Sequence, residues 1–213
     1  MAREMKARGV DACLGLVPYF SRPSFSGVKQ HMAAIADVGL PTILYNHPSR
    51  TSLKLTLEQL IEACDHPNIF GVKEGSCDID LFQQLILHSD KRVFSGDDVL
   101  ALPQFAAGAQ GVISIVANVI PREWHELAMS CLRSDFPKAR ELYREVAEIC
   151  HAMIIETNPQ PVKYALSLMG LCEPIMRLPL VTPCETTEQA IRKAMENVIL
   201  QQKERKVEEP CSV

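Results

Sequence analysis

Short apolar runs alternate with longer segments of helical period along the first part of the chain. Five runs bounded by turn-forming residues predict strands: Ala12–Val17, Thr42–Tyr45, Ile69–Lys73, Arg92–Ser95 and Gly111–Val116. The segments between and after them predict helices at Phe25–Val38, Leu55–Cys64, Ile79–His88, Asp98–Ala107 and Arg122–Leu132. Strands that alternate with helices indicate βαβ units and a parallel sheet, so the expected fold class is α/β.

The pattern becomes wholly helical after the fifth predicted strand. Further helices are predicted at Pro137–Ile155, Pro159–Met169 and Thr186–Gln202. We therefore expect three parts: a (β/α) barrel portion over residues 1–133, a C-terminal helical subdomain over residues 134–202, and a charged tail without fixed structure over residues 203–213.

Two parallel architectures fit this alternation, a (β/α)8 TIM barrel and a doubly wound sheet. The glycine-rich phosphate-binding turns of doubly wound sheets follow none of the predicted strands, which favours the barrel. Five units cannot close a barrel that needs eight strands. We therefore expect about the last five βα units of a barrel, strands 4–8, in a chain that lacks the earlier ones, with apolar sheet edges prone to association.

Composition limits the functional classes. The chain has 213 residues, is 47% hydrophobic and carries a formal net charge of -4. It can bury one substantial core, has no apolar run long enough to cross a bilayer, and has no basic surface of the kind that binds nucleic acid. The mixed charge of Met1–Lys6 does not resemble a secretory signal, so a cytoplasmic protein is expected.

The cysteines and histidines do not suggest a metal or a redox centre. Eight cysteines are scattered without a Cys-x-x-Cys pair, and most are expected to be reduced, small, buried hydrophobic residues. Six histidines show no spacing typical of metal ligands. No metal or cofactor is predicted.

Lys73 is the first candidate for chemistry. The active site of a parallel barrel lies at the carboxyl ends of its strands. Alternation along the strand places Ile69, Gly71 and Lys73 on one face, which we expect to be the inner one. An unpaired amine there would have a lowered pKa and become a nucleophile for carbonyl carbons. The alternative is an ion pair with Asp97 or Asp98, and both readings remain open.

Other polar residues follow the neighbouring strands. Tyr45 ends the preceding strand and could relay protons beside a catalytic amine. Arg50, in the loop that follows, could hold a carboxylate with its planar guanidinium group. A barrel-lining tyrosine and a surface arginine are the alternatives. Gly96, Gly108 and Gly111 could admit a ligand or simply satisfy the backbone geometry.

Five segments together resemble a known family in order and in spacing. They are Tyr45–Thr51 (YNHPSRT), Gly71–Ser76 (GVKEGS), Ser95–Asp98 (SGDD), Gly111–Ser114 (GVIS) and Asn158–Lys163 (NPQPVK). These segments are similar to the successive signatures of the dihydrodipicolinate synthase family of pyruvate-dependent Schiff-base aldolases. The resemblance runs from about Asp11 to about Ile199.

The resemblance implies a role for each candidate. Lys73 would be the Schiff-base lysine and Tyr45 the proton-relaying tyrosine. Arg50 would grip the carboxylate of aspartate semialdehyde, and Gly96 and Ile113 would line the pyruvate pocket with main-chain groups. The family also implies a lyase of lysine (diaminopimelate) biosynthesis without a cofactor, acting as a homotetramer that is a dimer of dimers.

Two departures from the family pattern keep other functions open. The Gly-Thr-Thr-Gly-Glu loop of the family does not occur in this sequence, and Phe20 stands where the family has a tyrosine that crosses a dimer interface. One alternative is a lyase for keto-acid sugars such as N-acetylneuraminate, although such enzymes typically lack the Ser49–Arg50 pair. The other is a catalytically inactive, N-terminally truncated fragment.

Overall fold

The fold is taken from a computed structural model, which describes the backbone of residues 1–208 and the side chains of residues 1–196. The chain divides into two compact units, one ending at Ile113 and one beginning at Ser114. This division falls earlier than the boundary at residue 133 that the sequence suggested. The division into a barrel portion and a C-terminal helical subdomain remains a prediction.

The first unit is a parallel sheet of four strands in the order β1-β2-β3-β4. The strands are β1 (Cys13–Leu16), β2 (Thr42–Asn46), β3 (Ile69–Glu74) and β4 (Arg92–Ser95). The helices are α1 (Ala2–Ala7), α2 (Phe25–Ala36), α3 (Pro48–Thr51), α4 (Leu57–Ala63), α5 (Ile79–His88) and α6 (Ala101–Ala106), with a 3-10 turn at Asp98–Leu100. The predictions for these four strands and for α2, α4, α5 and α6 are confirmed to within a few residues. Neither α1 nor α3 was predicted.

Local capping explains where two of these helices begin. Asp78 Oδ1 accepts a hydrogen bond from the Leu81 N–H at 3.0 Å, which caps α5. Thr56 and Gln59 form a reciprocal capping box at the start of α4. Because each cap satisfies backbone donors that the first helical turn leaves free, the helices start at fixed points after β2 and β3.

The core of the first unit lies between the sheet and the helices that connect its strands. Helix α2 packs against β2, while α5 and α6 pack against β4. The largest side chains fully buried there are Met32, Leu44, Leu60, Ile69, Phe82, Leu85 and Gln104. Burial of the apolar members of this set, all except Gln104, contributes about 1.5–3 kcal/mol each and fixes the sheet against its helical layer.

The prediction of a fifth strand over Gly111–Val116 was wrong. In the described residues this segment makes one isolated parallel bridge, between Ser95 and Val112. The backbone pairs with the end of β4 through Gly111 and Ile113, and a 3-10 turn then begins at Val116. The apolar run therefore lies beside the sheet only briefly before the chain turns away.

The second unit is helical in its described part. Its helices are α7 (Pro121–Leu132), α8 (Phe136–Ala152), α9 (Gln160–Leu168) and α10 (Glu185–Glu208). Helix α8 packs against α7 and α10, and α10 also packs against α9. This confirms the predicted helices, but α10 extends past its expected end at Gln202 into the segment predicted as a tail. The rest of that tail, residues 209–213, lies outside the described residues.

The cysteines divide into buried and exposed groups. Cys64, Cys131 and Cys150 are buried, Cys13 is half-buried, and Cys77, Cys172 and Cys184 are exposed, so the expectation that most cysteines are buried does not hold among the seven described. All seven are free thiols, and Cys211 lies outside the described residues. None of the described helices is both long and apolar enough to cross a membrane.

Candidate active site

The strand register brings the candidate residues together at the carboxyl edge of the sheet. Leu16 pairs with Tyr45, Tyr45 with Lys73, and Lys73 with Phe94. Paired residues on parallel strands project from the same face of the sheet. Tyr45 and Lys73 are therefore neighbours on one face, as the sequence predicted.

A register shift corrects the predicted alternation along β3. The pairing between β2 and β3 slips after Thr42, so that Thr42 pairs with Ile69 while Ile43 pairs with Gly71. Ile69 consequently shares the fully buried face of Thr42 rather than the face of Lys73, as its complete burial also indicates. The prediction that Ile69 lies on the face of Lys73 was wrong, whereas Gly71 shares that face.

Lys73 is held in a confined position. Its side chain is only 8% exposed, and Nζ lies 4.3 Å from the centroid of the Tyr45 ring. Burial lowers the pKa of Lys73, while the negative charges of Asp98 and Asp97 act in the opposite direction. Both carboxylates thus favour the charged amine, and burial opposes them.

Two glycines, Gly71 and Gly111, leave room for the ring of Phe94, which pairs with Lys73. A methyl group at Gly71 would lie 2.8 Å from Phe94 Cε2 and 2.9 Å from the Arg92 carbonyl oxygen. A methyl group at Gly111 would lie 3.1 Å from Phe94 Cδ1. Both glycines thus allow the Phe94 ring to lie across the face that carries Lys73.

Tyr45 is a poor acid in this environment. Burial is the main reason why the pKa of Tyr45 is raised to about 12. The Arg50 charge lowers this pKa, and the Asp97 and Glu74 charges raise it further. The phenol therefore keeps its proton at neutral pH and can donate it to a neighbouring oxygen or nitrogen. His47, whose ring lies edge-on to Tyr45 at 5.5 Å, has a lowered pKa, first because of burial and then because of Arg50.

Arg50 lies on α3, the short helix that follows β2. The Arg50 N–H donates to the His47 carbonyl oxygen at 2.9 Å, which forms the first turn of that helix. Its side chain is exposed, yet its charge lowers the pKa of both Tyr45 and His47. Arg50 is thus an exposed residue whose charge acts on Tyr45 and His47.

Gly96 and Ile113 are placed by backbone hydrogen bonds at the next strand ends. The Gly96 N–H donates to the Glu74 carbonyl oxygen at 2.7 Å, and the Ile113 N–H donates to the Ser95 carbonyl oxygen at 2.9 Å. A methyl group at Gly96 would lie 2.7 Å from the Glu74 oxygen, so only glycine allows this approach. Both residues lie at the same edge of the sheet as Lys73. Gly108 lies on α6's C-terminal side with a φ of +112° and serves the turn there.

Sequence reasoning missed a second group of polar residues at this edge. Asn46 and Glu74 are fully buried and joined by a hydrogen bond of 2.7 Å from Asn46 Nδ2 to Glu74 Oε2. Asp97 accepts hydrogen bonds from both the N–H and the thiol of Cys77. Asn46 and Glu74 lie in two of the segments that resemble the family, but these segments belong to different strands, so the sequence did not predict the bond between them.

Among the described residues, no group of three or more His, Cys, Asp or Glu side chains is arranged to hold a metal ion. The reactive group that the geometry offers is an amine. A buried lysine with a lowered pKa beside a protonated phenol, at the carboxyl edge of a parallel α/β sheet, has the chemistry that imine formation requires.

Comparison with known proteins identifies the family. The profile of the Dihydrodipicolinate synthetase family matches residues 1–198. The chain belongs to that family.

Curated relatives of the chain are named 4-hydroxy-tetrahydrodipicolinate synthase. The protein of Syntrophotalea carbinolica is 41% identical over 184 residues, which are 85% of this chain and 63% of the relative. That of Methanocaldococcus jannaschii is 42% identical over 195 residues, 90% of this chain and 65% of the relative. The chain thus spans just under two thirds of the length of these relatives.

Solved structures of the family have the same fold. The 4-hydroxy-tetrahydrodipicolinate synthase of Methylacidiphilum fumariolicum SolV superposes with a TM-score of 0.91 and 34% identity, covering 97% of this chain and 70% of that structure. Dihydrodipicolinate synthase from Aquifex aeolicus gives a TM-score of 0.89 and 35% identity over 93% of this chain and 69% of that structure. The parallel sheet and its helices therefore have the α/β fold of TIM-barrel members of the family.

Proposed function

We propose that the protein is a 4-hydroxy-tetrahydrodipicolinate synthase, a lyase that condenses pyruvate with L-aspartate 4-semialdehyde through an imine on Lys73. The observation that carries the proposal is the buried Lys73 amine over the Tyr45 ring. Family membership and the names of the relatives support the choice of substrates. The reaction would belong to lysine (diaminopimelate) biosynthesis and needs no cofactor.

The first chemical step requires a neutral amine. Lys73 Nζ attacks the keto carbon of pyruvate, the keto oxygen leaves as water, and a C=N bond forms in place of C=O. Because burial lowers the pKa of Lys73, a larger share of the side chain is neutral at a given pH than for an exposed lysine. Tyr45, which remains protonated, can deliver the proton that the departing oxygen needs.

The imine then makes the pyruvate methyl group acidic. Loss of a methyl proton gives an enamine, whose carbon attacks the aldehyde of the second substrate. Arg50 would hold the carboxylate of that substrate, since Arg50 is exposed on the helix that follows β2 and its charge acts on Tyr45. The backbone at Gly96 and Ile113 would line the pyruvate pocket, because both lie at the same sheet edge.

The proposal extends to architecture and assembly. The four strands would form part of a (β/α)8 barrel, in which further strands pair with the edge of β1, where Leu14 is 44% exposed. The assembly would be a homotetramer built as a dimer of dimers. The cytoplasmic location stays a prediction.

Covalent trapping tests the proposed chemistry. The protein is incubated with pyruvate and borohydride, digested, and mapped by mass spectrometry. We expect one reduced pyruvyl group on Lys73, and no adduct at that peptide in Lys73→Arg. An adduct confined to another lysine would reject the mechanism.

Substrate tests separate the alternatives. If the protein forms the trapped pyruvate adduct and also converts aspartate semialdehyde, the synthase is supported. Turnover of a keto-acid sugar alone would identify a sugar-acid lyase. If the protein is folded, as shown by cooperative thermal unfolding, and still forms no pyruvate adduct, it is an inactive fragment.

A further inference from the structure

The carboxylate of Glu74 is buried beside the candidate site, on the face of the sheet opposite to Lys73. Glu74 follows Lys73 directly, and successive side chains of a strand point to opposite faces. Its side chain is fully buried, and both oxygens accept short hydrogen bonds. The donors are Asn46 Nδ2 and the Ser76 N–H, each at 2.7 Å.

These bonds lie next to the reactive pair in the sheet register. Tyr45 pairs with Lys73, and the following residues, Asn46 and Glu74, pair with each other. The Gly75 N–H also donates to the Asn46 carbonyl oxygen at 3.0 Å. The carboxylate thus ties the end of β2 to the end of β3 immediately beyond the two residues that carry the proposed chemistry.

The turn that Glu74 holds also contacts the Tyr45 ring. A methyl group added at Gly75 would lie 3.3 Å from Tyr45 Cε2 and 3.7 Å from His47 Cδ2, so the backbone of this turn packs against the ring. Glu74 Oε1 fixes the next residue of the turn through the Ser76 N–H. A shift of this turn would therefore move the Gly75 backbone, which packs against the Tyr45 ring.

We infer that Glu74 is a positioning residue, whose side-chain link to Asn46 and to the Ser76 N–H holds the Tyr45 ring against the Lys73 amine. This inference rests on the proposed function, since it concerns the geometry of imine formation. A displacement of about 1 Å between reacting groups can slow a reaction by about 100-fold. The link is therefore a means by which the fold sets the rate without touching the substrate.

The hydrogen bonds, rather than the negative charge, carry this role. Asn46 Oδ1 is buried without a hydrogen-bond partner among the described residues, so its amide can turn over. In Glu74→Gln, the new amide oxygen can accept from the Ser76 N–H while its nitrogen donates to Asn46 Oδ1. Glu74→Leu loses both bonds at similar volume, and Asn46→Ala loses one without changing any charge.

The test measures the rate of borohydride-trapped imine formation with pyruvate across a range of pH, well below the melting temperature of each variant. We expect Glu74→Leu and Asn46→Ala to slow trapping by about tenfold or more. Glu74→Gln should retain most of the wild-type rate, and the Asn46→Ala/Glu74→Leu double variant should be no slower than the slower single variant.

Asn68→Ala is the matched control. Asn68 Nδ2 donates to the Ala36 carbonyl oxygen at 2.9 Å just before β3, at the opposite end of the strand. Its loss should lower the melting temperature without slowing trapping. A wild-type trapping rate in Asn46→Ala, or a rate for Glu74→Gln as low as that for Glu74→Leu, would overturn the inference.

A second measurement keeps the inference separate from the proposed function. The ionisation of Tyr45, followed by ultraviolet titration as the difference from Tyr45→Phe, needs no substrate. In Asn46→Ala the pKa of Tyr45 should fall from about 12 towards its ordinary value of 10.0, because the ring becomes more exposed. If the wild type traps no pyruvate, the proposed function fails, and the positioning role is then judged by this titration alone. An unchanged Tyr45 pKa in Asn46→Ala would overturn the positioning role.

Discussion

The Lys73 amine lies over the ring of Tyr45, with Nζ 4.3 Å from the ring centroid, and the two residues are directly paired on β2 and β3. Attraction between an ammonium group and an aromatic face is worth about 0.5–2 kcal/mol and favours the charged amine. Burial of an ammonium group costs several kcal/mol and favours the neutral one. The larger effect wins, which agrees with a pKa for Lys73 below its ordinary value.

The first prediction concerns the pH dependence of imine formation. Asp97 raises the pKa of Lys73, so Asp97→Asn should lower that pKa further and enlarge the neutral fraction at a given pH. The rising limb of the trapping rate against pH should therefore move to lower pH. Asp80→Asn, which removes an exposed carboxylate in the first turn of α5, should leave the profile in place. A shift to higher pH in Asp97→Asn would contradict this electrostatic account.

The second prediction separates the two substrates. If Arg50 holds the aldehyde and Lys73 the pyruvate, Arg50→Ala should leave pyruvate trapping intact. It should lower kcat/KM for aspartate semialdehyde by the value of a lost charged hydrogen bond, about 1.5–3 kcal/mol or roughly 10- to 150-fold. Arg140→Ala, an exposed arginine of α8, serves as the control. Equal loss of both steps would reject this division of roles.

The strands were predictable because each is a short apolar run between turn-forming residues, and the helices because their apolar residues recur at helical spacing. The helix predicted at Ile79–His88 begins where expected, because the side chain of Asp78, directly before it, caps its first turn. The predicted closeness of Tyr45 and Lys73 follows from parallel pairing alone, since strands of matched height end at one edge. Local pattern was sufficient for these features.

Other features depend on pairing that no local pattern reveals. The register shift after Thr42 turns Ile69 to the other face, although simple alternation groups it with Lys73. The run after Gly111 is as apolar as a strand, but the chain turns away after pairing briefly with the end of β4. The Asn46–Glu74 bond joins two strands, and neither residue type predicts the other.

The third prediction concerns Phe20, which is 94% exposed on the loop after β1 and has a φ of 66°. If the proton relay is shared between subunits, as the family resemblance implies, Phe20→Tyr would restore a hydroxyl group and should raise the turnover rate. Tyr19→Phe, a change at the exposed neighbouring residue, should have no such effect. An unchanged rate in Phe20→Tyr would show that this position does not take part in the chemistry.

The last prediction tests the close approach of the backbone at Gly96. A methyl group there would lie 2.7 Å from the Glu74 carbonyl oxygen and 2.9 Å from Gly75 Cα, and neither backbone atom can move without shifting the end of β3. We expect Gly96→Ala to lower the free energy of unfolding by about 1–3 kcal/mol, as overpacking typically does, and to slow pyruvate trapping because Lys73 lies on the displaced strand.

In Gly111→Ala the new methyl group meets only ring carbons of Phe94, the nearest at 3.1 Å, and that half-buried side chain can shift. Thermal unfolding and trapping rates measured side by side should therefore rank Gly96→Ala as the more damaging change in both respects. The reverse order would mean that the backbone at Gly96 does not fix the strand end that carries Lys73.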